Sequence, residues 1–434
     1  MQDYDVIVVG GGPAGVGAAF GAARQGANVL VIEQFNCLGG VATAGGHGHM
    51  SIGSAWQSQT RVVGGLFQEV CQRIADEGFG RSDVYGSWFE VEGLKFLLER
   101  MAAECGVDVL YYTFFCESVI EDGVVVGIVV QNKSGRSEIR AKRVIDCTGD
   151  GDVAASAGAP FEVGRPGDGK CQPVTLMFTI GGVGWPRVEA WWKDHDYREM
   201  LKEAQKNGDM DPFQSEILCR WWTPTRPDHV GVNFTHVVEV DSTKAEDLTR
   251  ATLEGRRQVF QSVNVFRKYI DGMQDCYLVS TPNTIGLRES RRILGDVLLT
   301  EEDIKAEKAW PDTIGYGSFF IDVHNLDGPG MSPTSWHPPK GFKYQIPYRV
   351  LLPQKTENLL VAGRCISVTH LALGSTRVMA QCMLTGEAAG TAAALSVQAN
   401  VSPRELDVAR IQDALRKGGA ILDEDDIARA NAGG

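Results

Sequence analysis

Apolar runs that stop at glycine mark both ends of this chain. Tyr4-Asp5-Val6-Ile7-Val8-Val9 is a short β-branched stretch ended by Gly10, the pattern of a parallel strand buried on both faces. Small residues at Ala14, Gly17, Ala18, Gly21 and Ala22 then predict a closely packed helix, and Gln25-Gly26 offers it a left-handed stop. A second strand, Ala27–Ile32, ends at Glu33. Helical periodicity returns over Glu92-Leu94-Phe96-Leu97-Leu98-Met101 with a stop at Gly106, and strands are expected near 107–114, 119–121 and 124–130, turning at Asp122-Gly123.

From about Phe161 the texture changes to a loop over 164–169, a strand over 174–180, a polar helix near 188–207 and a long helix near 244–270. After Ile346 the first pattern comes back: Asn358-Leu359-Leu360-Val361-Ala362-Gly363-Arg364, then a small-residue helix through Ala388, Ala389, Gly390, Ala392 and Ala393. One domain is therefore expected from both chain ends, 1–160 and 346–434, with an α+β cap inserted over 161–345 and a ligand bound between them. The tail from Ser402 reads as a helix with a polar end.

Composition narrows the function. The 434 residues are 43% hydrophobic and 22% charged, enough for a substantial core, and the 51 glycines follow no linker or collagen period. A formal charge of −13 disfavours nucleic acid and anionic membrane as partners. No apolar run reaches the ~18 residues of a membrane span, and Met1-Gln2-Asp3-Tyr4-Asp5 lacks a basic leader, so a cytoplasmic protein is expected. The ten cysteines contain no CxxC pair, which leaves neither a zinc knuckle nor a redox dithiol, and no metal is expected.

The glycines carry the chemistry. Gly10, Gly12 and Gly15 form G-x-G-x-x-G between a strand and a helix that opens with Pro13 and Ala14. The first glycine permits a tight turn, the second lets backbone approach a pyrophosphate and the third lets helix close on strand. Glu33, about 20 residues on, stands where a carboxylate bonds the adenosine ribose, with Gln34 beside it; otherwise it is a solvated strand-end charge. The fingerprint alone does not separate NAD from FAD. The small-residue loop 37–46, with Gly40, Ala42 and Thr43, looks like a second dinucleotide loop of FAD proteins, and Thr148, Gly149 and Asp150 close another apolar strand. Cys116, Gly363, Arg364, Ser375 and Thr376 complete the candidate FAD contacts. A helix starting after Thr376 would turn its positive end toward a reduced flavin.

Together these segments resemble the FAD-dependent oxidoreductases of the xanthan-lyase-associated type, distant relatives of fumarate-reductase and tRNA-uridine-modifying flavoproteins. The carriers are Gly39–Thr43, Gly149–Asp152, Gly286–Asp296, Ile321–Asn325, Ile346–Arg349 and Ala362–Arg364. The resemblance implies an α/β fold with a glutathione-reductase-type, Rossmann-like FAD domain, bound FAD and a redox role on an unspecified substrate.

Flavin chemistry needs a proton carrier and a cation near the substrate. Arg288 and Arg291, three apart, would share a face if helical; salt bridging to Glu289 or Asp296 is the plainer reading, and the favoured one for Arg291 and Arg292. His324 closes the apolar run 319–323, Tyr348 follows Ile346-Pro347 at the expected domain junction, and His47 and His49 follow the second glycine loop, one of them open to covalent flavin attachment. Trp191-Trp192 and Trp221-Trp222 read as cap core or interface. The leading expectation is a dehydrogenase or reductase moving a hydride between flavin N5 and a small organic substrate. The alternatives are an NAD(P)H-fed, oxygen-using monooxygenase, a redox-neutral hydratase or isomerase, and a non-catalytic binding protein. NAD(P)H or oxygen as co-substrate and a homo-oligomer stay open.

Overall fold

The computed structural model describes residues 4–212, 214 and 217–432. Tyr4–Val9 lies inside a seven-stranded sheet, with Val6, Ile7 and Val8 fully buried, as a parallel strand covered on both faces requires. It pairs in parallel with Val29–Ile32 on one side and with the end of Gly135–Asp146 on the other. Asp108–Leu110 extends the sheet past Val29–Ile32, and Leu359–Val361 joins in parallel at Val144–Asp146. Both chain ends thus build one parallel, Rossmann-like core. Phe114–Glu121 and Val124–Asn132 continue it as an antiparallel meander.

Glycines set the distance between the first helix, Pro13–Arg24, and the long helix Met379–Ala399. A Cβ on Gly17 would lie 2.2 Å from the Met383 carbonyl oxygen, and one on Gly386 would lie 2.0 Å from that of Ala14. The two backbones therefore touch, which explains the small-residue runs read in the sequence. Glu387, between these contacts, is buried and accepts a hydrogen bond from the Leu66 N–H at 3.0 Å, at the start of the helix Gly65–Asp76.

Burial pushes the Glu387 carboxyl up to about 7, partly offset by the Leu66 N–H. A carboxyl raised in the folded state keeps a proton that the unfolded chain loses, so stability falls as pH rises from about 4.5 through about 7. Above that window the ionised group costs about 3 kcal/mol. Glu387→Gln is expected to gain most of this at pH 8 and little near pH 4.5, checked by urea melts at the two pH values.

The apolar core forms two clusters. One holds the parallel core and takes up the chain again from Ile293; the other runs from Val174 to Ile285. The second is organised by an antiparallel sheet in the order Cys219–Trp222, Val230–Asn233, Phe178–Gly181, Tyr277–Ser280, against the helix Ala245–Tyr269. The return to the first core thus comes near 291–293, ahead of the expected boundary at 346, because Ile293, Ile314, Tyr344 and Ile346 bury their side chains there.

Other local expectations are corrected. The polar helix splits into Trp185–Asp194 and Tyr197–Lys206, since Asp196 accepts the Arg198 N–H and starts the second piece. The strand expected over 107–114 stops at Leu110, and Tyr112 takes a left-handed φ of 54° before Phe114–Glu121 begins. Only Phe178–Gly181 of the segment 174–180 is regular strand, with isolated bridges at Val174 and Thr175. Arg291–Ile293 is a strand, not a helix, so Arg288 and Arg291 share no helical face. Ile321 and His324 sit in isolated bridges rather than at a strand end. The tail forms two helices, Val408–Lys417 and Glu424–Asn431.

Candidate functional site

Four sequence-distant segments meet at the start of the first helix. A Cβ on Gly15 would lie 1.8 Å from the Gly10 carbonyl oxygen, so helix and strand close only through glycine. Gly12 instead has free space, its nearest neighbour being Gly40 Cα at 3.9 Å from where a Cβ would stand. The second glycine loop is therefore laid against the first. Gly363 meets Ala14, and Gly149 meets Arg364, which pairs with Asp150 at 2.9 Å. No side chain caps the Pro13–Arg24 helix, leaving its first-turn N–H groups for an anion.

Glu33 is buried at the edge of this cradle and accepts the Gly11 N–H at 2.7 Å and the Phe35 N–H at 2.9 Å. Burial raises its pKa against those two bonds. The bond to Gly11 ties the acid to the glycine turn, while neighbouring Gln34 is exposed. Thr43 braces its own loop, its hydroxyl donating to the Leu38 carbonyl at 2.5 Å, and Ala42 is buried beside it. Thr148 is held by Asp146, a buried carboxylate that accepts its N–H and hydroxyl and the Ala154 N–H. Asp146 did not stand out in the sequence, where it is one acid closing an apolar run. Cys116 is exposed at a register shift in the meander, apart from these contacts.

At the second helix start, Met379–Ala399 also lacks a side-chain cap. Thr376 Oγ1 and both side-chain polar atoms of Gln381 are buried there without partners. Groups this costly to leave unpaired fit a polar ring system that bonds them. Ser375 is already spent on Tyr344 and the Phe319 carbonyl.

The expected chemical residues divide. Arg288 is buried, and its Nη1 donates to the Pro173 carbonyl at 2.7 Å and Thr175 Oγ1 at 2.8 Å. Arg377 pairs with Asp322 at 2.8 Å, and His324 Nε2 stands 3.6 Å from the same carboxylate. The His324 backbone N–H donates to Gln172 Oε1 at 3.2 Å. The His236 ring lies 6.3 Å from His324, and His47 stacks on Trp221 with centroids 4.5 Å apart. His49 stacks on Trp88 at 4.6 Å.

Electrostatics knit the group together. Burial, then the Arg377 charge, lowers the Arg288 pKa to about 10. Burial, then Arg288, lowers His324 to about 4, and burial lowers His47 to about 4 and His49 to about 3. Burial works to raise Asp322, but His324, Arg377 and Arg288 hold it below the usual carboxylate range. The imidazoles are thus neutral at pH 7.

Tyr348 lies elsewhere: it is buried and donates to the Pro403 carbonyl at 2.9 Å, under the C-terminal tail. Arg291 pairs with Asp152, and Arg292 with Glu289, which also meets His370. Asp296, the other expected partner, pairs with Arg404. Asp322 lies within the segment Ile321–Asn325 and Arg377 directly follows Thr376, but neither carries a signal of its own in the sequence. Gln172, His236 and Trp221 reach the cluster only through tertiary packing.

Among the described residues there is no cluster of potential metal ligands, and no helix is long and apolar enough to cross a membrane. A family model described as FAD dependent oxidoreductase matches residues 5–415. Digeranylgeranylglycerophospholipid reductase 1 of Methanopyrus kandleri is 30% identical over 165 residues, 34% of this chain and 40% of that protein. Thiamine thiazole synthase of Aeropyrum pernix is 32% identical over 159 residues, 33% of this chain and 54% of that one. The chain thus spans about half or less of the length of these curated relatives. A crystal structure of a geranylgeranyl bacteriochlorophyll reductase-like protein from Thermoplasma acidophilum aligns with a TM-score of 0.50 and 16% identity, covering 99% of this chain and 90% of that one, a likeness of fold alone.

Proposed function

The chain belongs to the FAD dependent oxidoreductase family, and from that premise we propose that it transfers a hydride between flavin N5 and a small organic substrate bound between the parallel core and the antiparallel cap. The observation that carries this reading is the group that the buried Arg288 and His324 form with the partly buried Arg377, Asp322 and His47. The glutathione-reductase type of the FAD domain and the xanthan-lyase-associated branch are part of the proposal, supported by the two chain ends sharing one sheet and by the segments 286–296 and 346–349.

FAD, when bound, supplies the hydride chemistry. The glycine backbones at 10–15 and 39–40 cradle its phosphates, Glu33 anchors the ribose, and Gln381 and Thr376 bond the ring. His324 is the proton carrier: it is neutral, its Nδ1 is buried without a partner, and Asp322 stands 3.6 Å from Nε2, ready to steady an imidazolium. The Trp221 and Trp88 rings stack on His47 and His49 and hold those imidazoles in place.

Anaerobic stopped-flow mixing with NADH and NADPH tests the direction of electron flow. Rapid bleaching of the flavin band assigns the reductive half-reaction to a nicotinamide; bleaching by an organic metabolite instead assigns a dehydrogenase. His324→Ala is expected to retain FAD while substrate-linked flavin reduction slows by about 100-fold or more. Undiminished reduction removes His324 from the site.

A further inference from the structure

We propose that the substrate of this site carries a carboxylate, seated on the Arg288 guanidinium and Gln172 Nε2; this rests on the reading of the cluster as the substrate site. A buried cation is stable only with an anion or with its donors fully engaged. Two other buried arginines show both solutions. Arg292 pairs with Glu289 at 2.6 Å. Arg143 spends all three guanidinium nitrogens, on Ser396 Oγ and the carbonyls of Lys142 and Val401.

Arg288 has neither. Both of its hydrogen bonds run through Nη1, and it forms no ion pair among the described residues. The nearby Asp322 is claimed by Arg377. With the histidines neutral, two guanidiniums face one carboxylate, and one negative charge is missing.

The surrounding polar atoms are mostly donors. Gln172 Oε1 accepts the His324 N–H, which fixes the amide so that Nε2 offers its protons, and Nε2 is buried without a partner. Arg377 Nε is likewise a buried donor without a partner. A planar carboxylate matches the free edge of Arg288, whose Nε and Nη2 lie side by side. Its negative charge supplies the missing counterion, and its second oxygen accepts from Gln172. Seated there, the carboxylate leaves His324 to serve an adjacent carbon.

Holoprotein titrated with acetate, succinate and benzoate, each against its neutral amide, tests this. The readouts are the flavin difference spectrum and calorimetry, with FAD content measured on the same samples. At least one carboxylate is expected to bind saturably and at least about 30-fold more tightly than its amide. Arg288→Gln is expected to lose about 30-fold or more of that affinity with FAD retained. Because Arg288 also ties down Pro173 and Thr175, Gln172→Ala provides a second variant, expected to weaken carboxylate binding about 10-fold while melting like the parent. Equal binding of acids and amides, or unchanged acid affinity in both variants, overturns the carboxylate assignment while the yellow protein still stands. A colourless protein that FAD does not reconstitute would instead overturn the flavin reading.

Discussion

Glu33→Ala is expected to purify largely colourless, with FAD affinity reduced about 100- to 1,000-fold. Hydrogen bonds to a charged group contribute about 1.5–3 kcal/mol each, and in the proposed FAD site this carboxylate accepts from both ribose hydroxyls of the adenosine half. The loss has a second source. Glu33 accepts the N–H groups of Gly11 and Phe35, so alanine leaves two backbone donors unpaired and loosens the turn that holds the pyrophosphate. Glu33→Gln keeps an acceptor for one of them and should fall between parent and alanine. Fluorescence titration of apoprotein with FAD checks the series; parental affinity in Glu33→Ala would remove the ribose role.

Gly390→Val carries the largest expected stability loss. A Cβ there would lie 1.9 Å from the Ala18 carbonyl oxygen, and the branched side chain must force two helix backbones apart. Overpacking ordinarily costs about 1–3 kcal/mol, but here backbone rather than a flexible side chain must move, so about 4 kcal/mol or more is expected. Those helices start at the two uncapped ends assigned to the proposed FAD site, so FAD retention should fall with stability. Gly26→Ala is the control. It is left-handed with φ 83° but has no neighbour within 4 Å, and should cost about 1–2 kcal/mol. Chemical denaturation of the pair separates packing from backbone strain, and equal losses would refute the packing account.

Local pattern explains how much of the cofactor half could be read in advance. A buried parallel strand must be apolar on both faces, and a loop that passes a pyrophosphate must be glycine; both leave a signature within a few residues. Val6–Val9, Gly10–Gly15 and Glu33 are such signatures, and so is Leu359–Gly363. The cap was harder. Its irregular segment 286–290 precedes a three-residue strand, so the shared face expected of Arg288 and Arg291 in a helix does not form. Tyr348 was misread for a related reason. Its position after Ile346-Pro347 indicated a junction, whereas the segment already lies inside the first core and its hydroxyl serves Pro403.

The amino-acid sequence by itself determined the glycine turns on which the proposed FAD site rests, because phosphate recognition by backbone demands particular residue types at fixed short spacings. Only the tertiary structure decided which side chains stand beside one another in the group around Arg288 and His324. Gln172, the pair Asp322 and His324, and Arg377 come from three distant segments, and each is an ordinary polar residue in its own stretch of chain. Gln172, His324 and Arg377 are distinguished by buried polar atoms without partners, and such burial is set by packing between distant parts of the chain, not by any local pattern.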